Sequence, residues 1–184
     1  MNYVLPSLRL WLATILICVV GYTGLMLVFA QTMAPYQANG SIIEVDGQAV
    51  GSELIAQDFT KPRYFWPRPS AAGYDGMGAA GSNLSPTSAD LAARAAQTVA
   101  RYGATAKKPI PADLVAASGG GLDPHISLAG TFFQADRVAA ARGLDEARVR
   151  DVIEEQAASP GAIFAPERIV NVLQLNLALD RLKE

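Results

Sequence analysis

The chain has 184 residues, of which 51% are hydrophobic and 17% are charged. Its 15 basic and 17 acidic side chains leave a formal charge of −2. That balance excludes a strongly basic nucleic-acid-binding protein and an acidic disordered tail, because both depend on an excess of like charge. A lone cysteine, Cys18, excludes an intrachain disulfide, and one histidine excludes a zinc site of the usual Cys/His spacing.

Residues 10–30 contain no charged side chain and are predicted to form a transmembrane helix. A helix of that length reaches about 31 Å, the thickness of a bilayer's hydrocarbon core. Arg9 precedes this span, whereas the first positive charge after it is Lys61. Because positive charge near a span tends to stay in the cytoplasm, residues 1–9 are expected to be cytoplasmic and 31–184 to form one extracytoplasmic domain.

Two features of this span leave alternatives open. The segment Val28-Phe29-Ala30 has small residues at its two ends, as a signal-peptidase site requires. A secreted binding protein that begins at Gln31 is therefore the alternative to a retained anchor. Thr14, Cys18 and Gly21 form a stripe of small residues at helical spacing, which would let another helix approach closely. The same three residues would also suit a helix that faces only membrane lipid.

The first segment after the span is predicted to form strands. Residues 41–45 are rich in β-branched side chains, Asp46-Gly47 is typical of a hairpin turn, and residues 48–50 supply the return strand. Residues 54–59 and 63–66 are expected to extend this hairpin into a small sheet.

A long irregular stretch follows from Trp66 to Ser88, with prolines and glycines throughout. Compact domains rarely contain so long a connection unless it binds something or is disordered. The aromatic and arginine residues within and just before it, including Tyr64, Tyr74 and Arg68, favour binding over disorder.

The second half of the chain is predicted to be helical, with a capping residue before each helix. Each helix also carries an apolar stripe at a spacing of three and four residues. The predicted helices are 89–102, capped by Ser88 or Thr87 and stopped by Gly103; one capped by Ser127 and ending at Gly143; one that starts at Asp145 and is stopped by Pro160; and 172–183, capped by Asn171. A small sheet followed by separate helices gives an α+β fold.

The segment Asp123-Pro124-His125-Ile126-Ser127 contains the three residue types of a catalytic triad. Three alternate residues of one short segment would have to converge, however, and Ser127 is also wanted as a helix cap. We therefore interpret Asp123, His125 and Ser127 as a structural turn and cap, with an extracytoplasmic hydrolase as the alternative function.

Residues 76–81 match the pattern G-x-G-x-x-G. A dinucleotide-binding site needs a strand before this pattern and a helix that opens within it, whereas here the flanks are rich in proline. We interpret these glycines as loop residues, and we expect no catalytic, cofactor-binding or metal-binding residues in this chain.

Taken together, several blocks of sequence resemble the C-subunit family of the bacterial Kdp potassium-transporting ATPases, a high-affinity potassium uptake complex. The resemblance covers nearly the whole soluble part in order. The blocks are Tyr36-Gln37-Ala38-Asn39-Gly40-Ser41, Tyr64-Phe65 with Arg68-Pro69-Ser70-Ala71, Gly81-Ser82-Asn83-Leu84, Gly121-Leu122-Asp123-Pro124-His125-Ile126-Ser127, Val170-Asn171-Val172 and Leu175-Asn176-Leu177-Ala178-Leu179-Asp180.

The resemblance implies a non-catalytic accessory subunit, needed for assembly and turnover of the pump in the cell (inner) membrane. ATP, magnesium and potassium would be handled by other parts of the complex. The implied partners are a channel-like potassium-translocating subunit (KdpA), a P-type ATPase subunit (KdpB) and a small membrane subunit (KdpF), with membrane lipid around the span and no nucleic acid.

Contact with these partners is expected at two places. The span would pack through Thr14, Cys18 and Gly21, and the long loop would rest on the channel-like subunit. The candidate contact residues of the loop are Tyr64, Phe65, Arg68, Ser70, Ser82 and Asn83. The alternative is that these side chains fold the loop onto its own domain.

Overall fold

The computed structural model describes residues 3–161, 164 and 167–182. It divides into two compact units, Met1–Ser52 and Glu53–Glu184. Both units combine helices with a small antiparallel sheet, so the fold is α+β as predicted.

The first unit begins with one continuous apolar helix, Val4–Met33, which has a mean hydropathy of 2.3 and is long and apolar enough to cross a membrane. It consists of α1 (Val4–Thr14), a π-helical segment (Ile15–Tyr22) and α2 (Thr23–Met33). In a π-helix each backbone hydrogen bond joins residues that are five apart in the sequence. Each residue therefore turns the chain by a smaller angle about the helix axis than in an α-helix. The spacing that aligned Thr14, Cys18 and Gly21 is therefore altered, and their role in packing stays a prediction.

After the short helix α3 (Pro35–Ala38), the chain forms a hairpin of β1 (Ile42–Val45) and β2 (Gln48–Ser52). Asp46 and Gly47 form the turn with φ of 51° and 75°, the left-handed conformation that this kind of turn requires. The predicted hairpin and its turn are confirmed. The hairpin is tied back to the preceding segment because Ser52 Oγ donates to the Gly40 carbonyl over 2.7 Å.

The prediction that residues 54–59 and 63–66 extend this sheet is wrong, since neither segment forms a strand. The backbone of Phe65 and Trp66 is satisfied by side-chain amides instead of by a neighbouring strand. Asn176 accepts from Phe65 N over 2.8 Å, and Gln134 accepts from Trp66 N over 2.9 Å. Each amide also donates to the carbonyl of the same residue.

Four of the helices described in the second unit follow the predicted pattern, and the shortest, of four residues, was not predicted. These helices are α4 (Ala89–Tyr102), α5 (Ala112–Val115), α6 (Leu128–Arg142), α7 (Glu146–Gln156) and α8 (Val172–Asp180). Ser88, Ser127, Asp145 and Asn171 accept backbone N–H bonds as N-caps, and Gly103 and Gly143 end their helices in the left-handed conformation. The last helix ends at Asp180, earlier than predicted, and the predicted end at 183 lies outside the described residues.

A second small sheet was missed by the sequence analysis. It pairs β3 (His125–Ser127) with β4 (Ile169–Asn171) in antiparallel register, with His125 opposite Asn171 and Ser127 opposite Ile169. Each strand has three residues and leads directly into a helix, which leaves too short a run for the period of a strand to show. Because the strands are antiparallel, α6 and α8 begin at opposite ends of this sheet.

The core of the second unit lies between α6, α7, α8 and the second sheet. Most of its members come from the predicted apolar stripes of the helices, among them the fully buried Val138, Val149, Ile153, Leu175 and Leu179, and the second sheet adds Ile126 and Val170. Phe65 and Leu114 join this core from outside those helices, and both are 0% exposed.

Candidate interaction site

The long loop is irregular from Trp66 to Ser88, as predicted, and it folds onto its own unit. Arg68 donates from Nη1 to the Asp123 carboxylate over 3.1 Å and from Nη2 to the Ala117 carbonyl. Ser70 Oγ donates to the Gly121 carbonyl over 2.6 Å and accepts from Tyr74 N. Arg68 and Ser70 therefore hold the loop against its own unit.

Two glycines allow this close packing of the loop. A Cβ on Gly81 would lie 2.5 Å from the Gly119 carbonyl oxygen. Gly121 has a φ of 74°, and a Cβ there would lie 2.7 Å from the Ala80 carbonyl oxygen. Gly81, the last glycine of the G-x-G-x-x-G pattern, thus allows a close backbone contact. The next helix described after it is α4, so the pattern does not open a helix as a dinucleotide-binding site would.

The start of the loop is fixed by the core. Phe65 is fully buried, so it packs within this chain. Trp66 lies between two guanidinium groups, with Arg137 3.8 Å and Arg101 4.2 Å from its ring centre. Burial lowers the pKa of Arg137 to about 10, and this arginine also donates to the Tyr64 carbonyl over 3.0 Å.

The remaining candidate residues of the loop lie nearer the surface. The Tyr64 side chain is half-buried, and its ring contacts Phe59 with ring centres 5.4 Å apart. Ser82 is half-buried and Asn83 is exposed, with a φ of 48° at Asn83. The tip of the loop carries Met77, which is 96% exposed.

Asp123 and His125 form a connected pair at the start of β3. The Asp123 carboxylate accepts from His125 N over 3.0 Å, and its Oδ1 lies 3.4 Å from His125 Nδ1. Hydrogen bonding from the His125 side chain is the main influence that lowers the pKa of Asp123; burial opposes it and the Arg68 guanidinium adds to it. Asp123 therefore connects the Arg68 guanidinium to His125, and we call these three residues the Arg68–Asp123–His125 chain.

Ser127 is occupied as the cap of α6. Its hydroxyl oxygen accepts from Gly130 N over 2.8 Å, and Asp113 Oδ2 accepts from Ser127 N over 2.7 Å. Within the described residues no hydrogen bond joins Ser127 to His125, so the geometry gives the hydrolase alternative no support.

The sequence analysis missed the buried amides Asn176 and Gln134, which organise the start of the loop. Both are about 1% exposed and lie on the core-facing side of helices. The signal was present in the sequence, because an amide at an apolar stripe position must find buried hydrogen-bond partners.

Residues 4–181 match the family model described as KdpC: K⁺-transporting ATPase, c chain. The chain is 58% identical over 184 residues to a potassium-transporting ATPase KdpC subunit from Parvibaculum lavamentivorans, which covers 100% of this chain and 98% of the relative. It is 45% identical to the protein of that name from Serratia proteamaculans, with 100% of both chains covered. The corresponding protein from Mycobacterium bovis is 44% identical, with 97% of each chain covered.

Proposed function

The chain belongs to the KdpC family of K⁺-transporting ATPase c chains, and we propose that it is a non-catalytic accessory subunit needed for assembly and turnover of a potassium uptake pump. The observation that carries the proposal is the family match over 4–181, which includes the apolar helix Val4–Met33. In this proposal the channel-like and P-type ATPase subunits handle potassium, ATP and magnesium, and this chain acts by contact.

The helix Val4–Met33 anchors the chain in the cell membrane, with the N-terminus in the cytoplasm and the domain that follows the helix outside it. The support is the distribution of charge, since Arg9 lies near the start of the helix and Lys61 is the first basic residue after it. Tethering raises the effective concentration of a second contact, so that contact can be weak by itself. The exposed part of the loop, around Met77 and Asn83, provides that second surface.

Affinity purification of the tagged full chain in mild detergent tests the assembly. Two larger membrane proteins are expected to co-purify, and cells that lack the gene are expected to grow poorly when potassium is scarce. A chain that purifies alone and is dispensable in low potassium would contradict the proposal.

Labelling of intact cells tests the orientation. Cys18 is the only native cysteine and lies within the apolar helix, so Asn83→Cys introduces a single accessible thiol. A membrane-impermeant maleimide is expected to label Asn83→Cys in intact cells and to leave the native chain unlabelled. Labelling only after lysis would indicate the opposite orientation. A native N-terminus at Gln31 would indicate a cleaved signal peptide and not a membrane anchor.

A further inference from the structure

Two cavities lie at the second sheet, and His125 and Ile169 line both of them. The first, of about 260 Å³, is also lined by Glu53, Gln156 and Gln174. The second, of about 230 Å³, is lined by Arg68, Asp113, Asp123 and Glu167. We call the two cavities together the His125 groove.

The second cavity is electronegative. Three carboxylates line it against the single guanidinium of Arg68, and that guanidinium is already bonded to Asp123 over 3.1 Å. The three carboxylates and the Arg68 guanidinium together have two net negative charges. The first cavity adds the Glu53 carboxylate. The groove therefore favours a cationic occupant and disfavours an anionic one.

Interactions within the chain hold several side chains that line the groove. His125 Nδ1 lies 3.4 Å from Asp123 Oδ1. Gln174 Nε2 donates to Glu53 Oε2 over 2.8 Å, and Asn171 donates to the Glu53 carbonyl over 2.7 Å. These bonds hold the acceptors in place before any occupant arrives, which reduces the entropy lost on binding.

The carboxylates do not converge on one point. Among the residues that the structure describes, no group of three or more histidine, cysteine or acidic side chains is arranged to hold a metal ion. A long side chain with several N–H donors, such as lysine or arginine, can instead reach acceptors that are spread along a cavity. Two cavities that share His125 and Ile169 also suit alternate side chains of an extended segment, which point to the same face.

We propose that the His125 groove binds an extended basic segment of another subunit of the pump, with a lysine or arginine side chain in the cavity lined by Asp113, Asp123 and Glu167. This inference rests on the proposed function, because it takes its partner from the same complex. The groove is a surface distinct from the exposed loop tip around Met77 and Asn83.

Photo-crosslinking in the assembled complex tests the occupant directly. With Gln156→benzoylphenylalanine, illumination is expected to join the full chain to another subunit, and mass spectrometry is expected to place the adduct on a peptide that contains lysine or arginine. An adduct with lipid alone, an adduct on a segment without a basic residue, or no adduct would overturn the proposal.

Charge reversal tests the energetics of binding. Glu167→Lys is expected to weaken binding of the full chain to the other subunits at least tenfold, whereas Glu155→Lys, exposed on α7, serves as the matched control and is expected to change it less than twofold. Reversing the charge of the crosslinked basic residue of the partner is expected to restore binding to Glu167→Lys.

Equal effects of Glu167→Lys and Glu155→Lys would overturn the proposal that the groove binds a basic segment. Binding of Glu167→Lys as tight as that of the native chain would overturn it as well. The outcomes also separate the two proposals. A native chain that binds no other subunit overturns both, whereas a native chain that assembles normally without a crosslink from the groove overturns only this one.

Discussion

The Asn176 side-chain amide hydrogen-bonds both backbone groups of Phe65, as a neighbouring strand would in a sheet. Its side-chain amide accepts from Phe65 N over 2.8 Å and donates to Phe65 O over 3.1 Å, while both side chains are almost fully buried. A buried backbone group that loses its partner costs about 1–3 kcal/mol, because it keeps its desolvation penalty. One side chain in α8 therefore fixes where the long loop begins.

Asn176→Ala is expected to lower the free energy of unfolding by about 2–5 kcal/mol, since two backbone groups lose their partner at once. Urea unfolding of the full chain in detergent, followed by circular dichroism, measures this change. Gln97→Ala, an amide exposed on α4, is the control and is expected to change stability by less than about 0.5 kcal/mol. Similar losses in the two variants would show that the Asn176 contacts contribute little.

Asp123 makes stability depend on acid. The pKa of this carboxyl is lowered in the folded chain, chiefly by the His125 side chain and in spite of burial, so the ionised form stabilises the fold. This contribution is complete above the ordinary carboxyl pKa of 3.8 and is lost as the pH falls through the lower folded value.

Asp123→Asn is therefore expected to reduce stability near neutral pH and to flatten the loss of stability below about pH 4. Thermal unfolding of the full chain between pH 7 and the acid range checks both effects. Asp151→Asn, at an exposed position of α7, is the matched control. An unchanged acid profile in Asp123→Asn would argue against the Arg68–Asp123–His125 chain.

At the scale of elements, α6 begins where the second sheet ends. Ser127 closes β3 and caps α6, and its neighbour Asp113 accepts from Ser127 N, so an acidic group lies at the positive end of the helix dipole. Pairing with the antiparallel β4 places the start of α8, capped by Asn171, at the opposite end of the sheet, beside His125. The two strands and their terminal capping residues, Ser127 and Asn171, thus line the His125 groove.

Ser127→Ala is expected to lower the free energy of unfolding by about 1 kcal/mol, because Gly130 N loses its acceptor. Ser127→Asn restores an accepting side chain at the cap and is expected to recover most of the loss. Chemical denaturation of the three full-length proteins measures the series. Equal stability of the native chain and Ser127→Ala would contradict the capping role.

At the scale of the whole molecule, the apolar helix concentrates the rest of the chain at the membrane. No residue of Val4–Met33 is buried against the chain itself, so its large apolar surface is available to lipid and to other helices. A tether of this kind converts a weak second contact into an intramolecular one.

Replacing the apolar helix by a cleaved signal peptide is expected to reduce growth in limiting potassium to near that of cells without the gene, because the tether is lost. Replacing it by an unrelated apolar span is expected to restore growth in part, since the tether returns without Thr14, Cys18 and Gly21. Growth rates at equal expression measure both. Full growth with the released form would show that the anchor is unnecessary.

The sequence by itself determined the features that depend on neighbouring residues. Apolar content alone indicated the span, Asp46-Gly47 indicated the hairpin turn, and Ser127, Asp145 and Asn171 indicated where helices begin, because each signal is complete within a few residues. The family resemblance likewise followed from short blocks in order.

Only the tertiary structure decided how distant segments meet. Residues 63–66 look like a strand by composition, yet their backbone is paired by Asn176 and Gln134, which lie in helices far along the chain. The strands β3 and β4 are too short to show a period and exist because they pair with each other across 40-odd residues of sequence. The His125 groove brings together Glu53, Arg68 and Gln174, and no local pattern encodes a contact between residues so far apart.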